Sequence, residues 1–178
     1  MKEILLAQAL EQYRTHSSCL PEEYEVATRF INFVGKNKDC FERSHTGHVT
    51  SSVWILNYEK THALLTHHKK LNRWLQLGGH NDGDTNCARV ALKEAQEESG
   101  IKEFTFLMPD IFDIDIHAIP NACAYHYDVR YLLQAPKGAA YEVSEESHDL
   151  AWIQLHEIAH HAPFRSVTRM LEKSLLLL

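Results

Sequence analysis

Three glutamates on one predicted helix carry the clearest chemistry in this sequence. Glu94, Glu97 and Glu98 are three and four residues apart, so a helix turning about 100° per residue brings their carboxylates to one face. Like charges at this spacing repel by roughly 0.2–0.5 kcal/mol per pair, and Lys93 offsets part of that repulsion through its i+4 relation to Glu97. Such oxygen ligands suit a hard divalent cation. For the spacing alone, the alternative is a solvated acidic helix face.

The flanking residues indicate how this helix is positioned. Residues 78–85 contain three glycines and predict a loop that leads into the helix. Gly100 is well placed to end the helix in a left-handed conformation. An apolar stripe beside the glutamates predicts that the helix packs on a core, and it consists of Ala88, Ala91, Leu92 and Ala95.

The segment from Gly79 to Ile101 resembles the Nudix box, Gly-x5-Glu-x7-Arg-Glu-(apolar)-x-Glu-Glu-x-Gly-(apolar). The positions that match are Gly79, Glu94, Ala95, Glu97, Glu98, Gly100 and Ile101. Lys93 replaces the arginine, which keeps the charge but loses the bidentate fork. Thr85, a candidate for the helix cap, replaces the first glutamate, with Asp84 one place early. These departures concern the orienting hydrogen bonds of the loop more than the metal ligands.

The resemblance implies an enzyme that hydrolyses a diphosphate bond in a small molecule, a nucleoside diphosphate linked to another group. It implies Mg²⁺ or Mn²⁺ held by Glu94, Glu97, Glu98 and the Gly78 carbonyl, with Lys93 orienting the cluster. The proton acceptor is then Glu98 or a loop residue. Two alternatives stay open: a non-catalytic nucleotide sensor on the same fold, and a Nudix-type isomerase of isoprenoid diphosphates. No cysteine stands in a convincing position for the isomerase.

Before the box, residues 49–56 and 63–66 alternate with a period of two and predict strands. A basic cluster with one aromatic residue then precedes the glycines and comprises Lys69, Lys70, Arg73 and Trp74. Arg73 and Trp74 are candidates for contacting phosphates and stacking on a base. The alternative is a solvated loop with Trp74 packed in the core.

After the box, residues 111–117 and 125–131 each alternate polar and apolar side chains, with a predicted turn at Pro120-Asn121. A hairpin of this kind brings the two polar faces together, so we predict that His117, His126 and Asp128 line the substrate pocket. The alternative is that Arg130 pairs with an aspartate, Asp113 or Asp128, on an exposed sheet face.

The last part of the chain predicts a polar loop, a strand and a helix. In the loop, residues 141–149, Glu145 and Glu146 are candidate bases by resemblance, and His148 is a weaker one. A strand follows at residues 150–153. The helix after Pro163 carries an apolar stripe that predicts packing, formed by Val167, Met170, Leu171, Ser174, Leu175 and Leu178.

Together these elements predict an α/β fold, a Nudix-like α/β/α sandwich around a mixed β-sheet. Residues 1–44, with helices near 3–16 and 21–35, form an N-terminal helical extension packed on the core. Residues 45–178 form the hydrolase domain, including the C-terminal packing helix.

Length and composition narrow the class of protein. The chain has 178 residues, 44% of them hydrophobic, and suits one core. Its net charge of −6 argues against binding long nucleic acid, and no apolar run is long enough to span a membrane. The four cysteines, Cys19, Cys40, Cys87 and Cys123, lack paired spacing and predict reduced thiols in a cytoplasmic protein, a monomer or homodimer.

Thirteen histidines raise the question of zinc. The adjacent pairs His67-His68 and His160-His161 cannot form a compact site, since neighbouring side chains on a strand point to opposite sides. No cysteine is spaced for tetrahedral zinc. We therefore expect no structural zinc site.

Overall fold

A computed structural model describes residues 2–16, 19–43, 47–118 and 124–177 of the chain. Five helices lie within these ranges: α1 (Lys2–Thr15), α2 (Glu23–Lys36), α3 (Cys87–Ser99), α4 (Ile158–His161) and α5 (Arg165–Leu175). The strands are β1 (His48–Leu56), β2 (His62–His68), β3 (Arg73–Leu75), β4 (Leu77–His80), β5 (Thr105–Phe106), β6 (Asp113–Ala118), β7 (Tyr125–Gln134) and β8 (Ser147–Gln154). A single 3₁₀ turn, Leu155–Glu157, joins β8 to α4.

The strands form one mixed sheet whose centre is a parallel pair, β1 and β7. On its other edge, β1 pairs antiparallel with β4 along its first half and with β2 at its end. β7 is flanked in the same way by β6 and then β5. β2 also pairs with β3 and β8. Because β1 is covered on both faces, all nine of its residues are buried.

Helices cover both faces of the sheet. Alternate residues of β1 point to opposite faces, so Val53 joins a buried cluster with α1, α2 and α3, whereas Trp54 joins one with α4 and α5. The expected α/β/α sandwich around a mixed sheet, with helical structure at the N-terminus, is therefore confirmed.

The two N-terminal helices pack on the same core as the sheet, through residues such as Leu10 and Phe30. A buried polar contact adds to this packing. Lys173 of α5 donates to Glu23 of α2 at 3.1 Å, and the Tyr13 hydroxyl of α1 also donates to Glu23. The division of the chain at residues 44 and 45 lies outside the described residues and stays a prediction.

The glycines before α3 form a strand, and the prediction of a loop over residues 78–80 was wrong. β4 pairs with β1 from Val53 to Thr50. Gly78 has φ +154°, and a Cβ there would lie 2.2 Å from the Ser52 Cβ. A Cβ on Gly79 would lie 2.6 Å from the Glu94 carboxyl group. Only residues without side chains let this strand approach its neighbours so closely, which local pattern does not reveal.

The predictions for the C-terminal helix, the hairpin turn and the cysteines have different outcomes. Four members of the α5 stripe are buried, but Leu175 is 55% exposed because it lies in the last turn, and Leu178 lies outside the described residues. The turn at Pro120-Asn121 and Cys123 also fall outside them. Cys19 and Cys87 are free thiols, as predicted. Among the helices described, none is long and apolar enough to cross a bilayer.

Candidate functional site

Capping interactions at both ends fix where α3 begins and ends. The Asn86 side chain caps the first turn by accepting from the Arg89 N–H at 3.0 Å. Gly100 ends the helix with φ +71°, as expected, and its N–H donates to the Gln96 carbonyl at 2.9 Å. Ala91 and Ala95 are fully buried beneath the helix. The packing stripe and the end of the helix are confirmed.

Thr85 does not cap α3, because the helix begins at Cys87 and Asn86 is its cap. Replacing Asn86 with alanine should lower the free energy of unfolding by about 1 kcal/mol, since the Arg89 N–H loses its partner. Thr85→Ala is the matched control, with an expected change within about 0.5 kcal/mol. Urea unfolding of both variants measures the difference, and equal losses would contradict the assignment of the cap.

The three glutamates share one side of α3 but differ in environment. Glu97 is 59% exposed, and its carboxylate lies 3.1 Å from the Lys93 ammonium group. Glu94 is only 19% exposed and lies 3.9 Å from the same group. Glu98 is held against β4, where its Oε1 accepts from the Gly78 N–H at 2.8 Å. Lys93 therefore lies between the carboxylates of Glu94 and Glu97, and its i+4 spacing predicts the contact with Glu97.

Burial makes two of these carboxyl groups, those of Glu94 and Glu98, reluctant to ionise. Burial, with smaller contributions from Glu94 and Glu146, raises the pKa of Glu98 to about 8, although the Gly78 N–H opposes this shift. Burial also raises the pKa of Glu94, assisted by the negative charges of Glu97, Glu146 and Asp82 and opposed by Lys93. The protein alone does not balance the negative charge at this place.

This donor set fits a hard divalent cation. The Glu94 carboxyl group lies against Gly79, and the Gly78 N–H occupies one oxygen of Glu98 and leaves the other. Mg²⁺ and Mn²⁺ prefer carboxylate, carbonyl and water oxygens. A cation here would also relieve the burial of negative charge that raises these pKa values. The residues Glu94, Glu97, Glu98 and Gly78 therefore suit such an ion.

A cavity of about 410 Å³ opens beside these residues. Glu94, Glu97, Gly78 and Gly79 line one part of it. Its other walls are polar and include two cationic side chains, Arg43 and Lys70. The remaining lining residues that matter below are Thr50, Ser52, Gln76, His80, Asp82, His117, His126, Asp128 and Glu146.

Strand register arranges the polar residues at one wall of this cavity, five of which line it, in three rows that run across β1, β7 and β6. The first row is His48, His126 and His117, the second is Thr50, Asp128 and Asp115, and the third is Ser52, Arg130 and Asp113. Side chains two residues apart on a strand share a face, so the rows lie side by side. The expectation that the polar faces of β6 and β7 come together is confirmed.

The third row is a buried ion cluster. Arg130 is 1% exposed and donates to Asp128 at 2.8 Å, to Asp113 at 2.9 Å and to Asp115 at 3.1 Å. Arg169 from α5 also donates to Asp113 at 2.9 Å. The alternative that Arg130 pairs with an aspartate is therefore right about the partner and wrong about the exposed face, because α5 covers it.

The predicted pocket residues His117, His126 and Asp128 all line the cavity. Asp128 is saturated, because it accepts from Thr50 at 2.9 Å, Ser52 at 2.6 Å and Arg130 at 2.8 Å. It therefore shapes the wall more than it offers a free carboxylate. Burial, together with the neighbouring histidines, lowers the pKa of His126 to about 3, so this imidazole is neutral at physiological pH.

The structure places Arg73 and Trp74 away from this cavity. The Arg73 guanidinium lies 4.7 Å from the centre of the Phe164 ring. The Trp74 ring stacks on the His67 ring, with 5.2 Å between the ring centroids. Trp74 also packs against the buried cluster beneath α5, which supports the alternative of a core residue. β3, which carries both residues, pairs with β2 and not with β1. Of the loop candidates, Glu146 lines the cavity, whereas Glu145 and His148 do not.

The sequence matches no family model and no curated protein. Among solved structures, an Ap4A hydrolase from C. elegans is similar with a TM-score of 0.65 and 16% identity, covering 72% of this chain and 96% of its own. A Nudix-family hydrolase from Clostridium perfringens has a TM-score of 0.62 and 23% identity, covering 74% and 98%. The Nudix domain of Shewanella oneidensis NrtR, solved with ADP ribose, has a TM-score of 0.56 and 13% identity, covering 82% and 96%. The chain has the Nudix fold.

The fold that the resemblance to the Nudix box implies is therefore confirmed. The two departures from the box are also accommodated. Asp84, one place early, accepts from the Asn86 N–H at 2.9 Å and from Arg89 at 2.8 Å, so it orders the loop before α3. Lys93 contacts Glu94 and Glu97 as a single point charge.

Sequence reasoning missed several residues at the cavity beside α3. Arg43 comes from the segment before β1 and is paired with Asp82 at 2.7 Å. Thr50 and Ser52 line it from a strand whose alternation predicts only strand structure, and His48 of the same strand packs against His80 and His126. His80, directly after the paired glycines, was the one available signal, because a strand at residues 77–80 would have placed it beside β1.

Proposed function

We propose that this chain is a metal-dependent hydrolase that cleaves a diphosphate bond in a nucleoside diphosphate derivative. The observation that carries the proposal is the arrangement of Glu94, Glu97 and Glu98 against the two glycines of β4, beside a cavity with two cationic side chains. The names of similar structures support the class of substrate. They include an Ap4A hydrolase, a dihydroneopterin triphosphate pyrophosphohydrolase and a domain solved with ADP ribose.

Mg²⁺ or Mn²⁺ would be held by the carboxylates of Glu94, Glu97 and Glu98, with the Gly78 carbonyl. Such an ion supplies neutralisation of the diphosphate charge and a lower pKa for the attacking water. Lys93 restrains the two outer carboxylates through its contacts with Glu94 and Glu97. Their positions are thus set before substrate arrives, which reduces the cost of reorganisation.

Arg43 and Lys70 bind the phosphate groups of the substrate in this proposal. Both line the cavity, and Arg43 is held at its rim by two hydrogen bonds to Asp82, at 2.7 and 2.9 Å. Asp82 occupies the Nε and Nη2 donors of Arg43, so its remaining N–H groups, chiefly those of Nη1, are the donors for a phosphate oxygen, while lysine acts as a point charge. The neutral ring of His126 and the neighbouring His117 face the remainder of the substrate.

The proton of the attacking water passes to a carboxylate, for which Glu98 and Glu146 are the candidates. Glu146 lines the cavity, and its charge contributes to the raised pKa of Glu98 and of Glu94, so it lies near both. Asp128 is not a candidate, because hydrogen bonds from Thr50, Ser52 and Arg130 saturate it. A base needs a free lone pair directed at the water.

The carboxylates favour a hydrolase over a nucleotide sensor, because a protein that only binds nucleotide has no use for an acidic cluster in which the burial of two members, Glu94 and Glu98, is costly. An isomerase of isoprenoid diphosphates is disfavoured by the lining of the cavity. None of the described cysteines, Cys19, Cys40 and Cys87, lies there.

The decisive experiment is a substrate screen with Mg²⁺ and with Mn²⁺. Nucleoside triphosphates, nucleotide sugars, dinucleoside polyphosphates and ADP-ribose are each incubated with the protein, and released phosphate or nucleoside monophosphate is measured. Glu98→Gln serves as the control for contaminating activity. We expect turnover of at least one class by the parent only. Equal release by parent and variant in every class would reject the proposal.

Metal removal should abolish turnover without unfolding the protein. Because the site consists of oxygen ligands, EDTA should remove activity, and added Mg²⁺ or Mn²⁺ should restore it. Circular dichroism of the EDTA-treated protein checks that the fold persists. Full turnover in a metal-free preparation would show that the carboxylates of α3 are not the catalytic centre.

A further inference from the structure

Three histidines from different strands converge on the wall of the cavity, apart from the glutamates. The parallel pairing of β1 and β7 sets His48 opposite His126. The antiparallel pairing of β1 and β4 sets His80 opposite Thr50, which shares a face of β1 with His48. These three side chains therefore meet although they lie far apart in sequence.

The rings are close enough to share one ligand. The centroid of the His48 ring lies 5.0 Å from that of His80 and 4.8 Å from that of His126, and the last two are 5.1 Å apart. One ring nitrogen from each of the three lies within 4.8 Å of the others. A tetrahedral ion binds nitrogen at roughly 2.0–2.1 Å, so side-chain movements of about 1 Å complete the site.

His48 supplies an independent observation that points to a ligand. Its side chain is 5% exposed, and neither of its ring nitrogens has a hydrogen-bond partner. A buried polar group without a partner costs about 1–3 kcal/mol, so such groups in native proteins call for an explanation. An ion accepting a lone pair from one of these nitrogens provides it.

Neighbouring residues orient the cluster as they do around metal ions in proteins. The Nδ1 of His126 lies 3.2 Å from the Nε2 of His117, which leaves the Nε2 of His126 for an ion. The Nδ1 of His117 lies 3.7 Å from a carboxylate oxygen of Asp115. A histidine ligand whose second nitrogen is held by a further polar group, ending in a carboxylate, is the usual outer arrangement of a metal site.

We propose that His48, His80 and His126 form a second metal site, for a divalent transition-metal ion of the zinc class. Imidazole nitrogen suits Zn²⁺, Co²⁺ and Ni²⁺, whereas Mg²⁺ prefers oxygen. His80 and His126 line the cavity, so the fourth position of a tetrahedral ion faces it and is open to water or a substrate oxygen. The expectation of no zinc site considered only adjacent histidines and cysteines. The new site uses none of the glutamates and does not depend on the proposed hydrolysis.

The test is metal binding by the tag-free protein after removal of metals with a chelator. Titration with Co²⁺ should give the visible absorption of a tetrahedral nitrogen-ligated ion, saturating at one equivalent, and Zn²⁺ should displace it. The band should survive in the Glu94→Gln/Glu97→Gln/Glu98→Gln variant and in the control His156→Ala, which alters an exposed histidine. It should disappear in His80→Asn and in His126→Ala.

Replacing His117, the polar partner of His126, should give an intermediate effect on metal binding. His117→Gln should weaken Co²⁺ binding about 10–100-fold while the band keeps its shape. X-ray absorption of the parent with one equivalent of Zn²⁺ should show three nitrogen ligands, and this measurement does not depend on any variant folding. An oxygen-only shell, a band lost in the glutamate variant but kept in the histidine variants, or no stoichiometric binding would each overturn the proposal.

Discussion

Replacing Glu98 with glutamine should lower kcat by at least ~10²-fold, which corresponds to about 2.7 kcal/mol of transition-state stabilisation. The amide keeps the size of the side chain and can still accept from the Gly78 N–H, so the local structure should persist. It removes the negative charge and the basic lone pair that bind a cation or accept a proton. Glu94→Gln should behave in the same way, because Glu94 lies against Gly79 at the same site.

The same substitution should stabilise the metal-free protein at neutral pH. The pKa of Glu98 is raised from 4.5 to about 8 in the folded state, so ionising it costs more in the folded than in the unfolded protein. In the parent, the free energy of unfolding should therefore fall as the pH rises from 4.5 to about 8. Glu98→Gln removes this slope, and its advantage above that window should be about 1–4 kcal/mol.

Paired measurements of kcat and of unfolding in EDTA at several pH values distinguish this outcome from that of a solvated acidic face. Glu103→Gln, which changes an exposed acid after α3, is the control and should alter neither quantity. Glu97→Gln should lower kcat with little gain in stability, because Glu97 is 59% exposed. Near-parental kcat in all three glutamine variants would place the catalytic centre elsewhere.

Replacing Arg130 with methionine should lower the free energy of unfolding by about 3–5 kcal/mol. Methionine fills much of the space, but Asp113, Asp115 and Asp128 then lose the cation that they share. Asp113 keeps Arg169 and Lys173, so the loss falls mainly on Asp115 and Asp128. A buried carboxylate that loses its cation costs far more than the pairing of an exposed one contributes. Arg165→Met is the matched control on α5, because its partners Glu22 and Glu172 are exposed, and it should cost less than about 1 kcal/mol.

The pH dependence provides a second test of this cluster. Burial alone would raise the pKa of Asp113, but Arg169 and Arg130 together lower it from 3.8 to about 2. In the parent, the stabilisation from this carboxylate is present above pH 3.8 and is lost as the pH falls toward 2. The deficit of Arg130→Met, measured by urea unfolding, should therefore shrink as the pH is lowered through this range. A deficit independent of pH would show that packing, not charge, dominates.

The sequence by itself determined the arrangement of the three carboxylates on α3, because everything needed for that arrangement is local. The spacing of Glu94, Glu97 and Glu98, the apolar stripe beneath them and Gly100 at the end all act within a few turns of one helix. It also predicted the longer strands, β1, β2, β6, β7 and β8, and the polar faces of β6 and β7, since alternation along a strand fixes which side chains share a face. The Nudix box joined these local patterns into one expectation of fold.

The tertiary structure decided which of these faces meet and what covers them. The row of His48, His126 and His117 depends on the parallel register of β1 and β7. These two strands pair in space although much of the chain lies between them in sequence. A shift of one residue would turn every one of these side chains to the opposite face, and no local pattern records the register. Burial of Arg130 likewise depends on α5, whose Arg169 reaches Asp113 across 56 residues of sequence. Charge and spacing predicted the carboxylate site, whereas the histidine cluster arises from strand pairing alone.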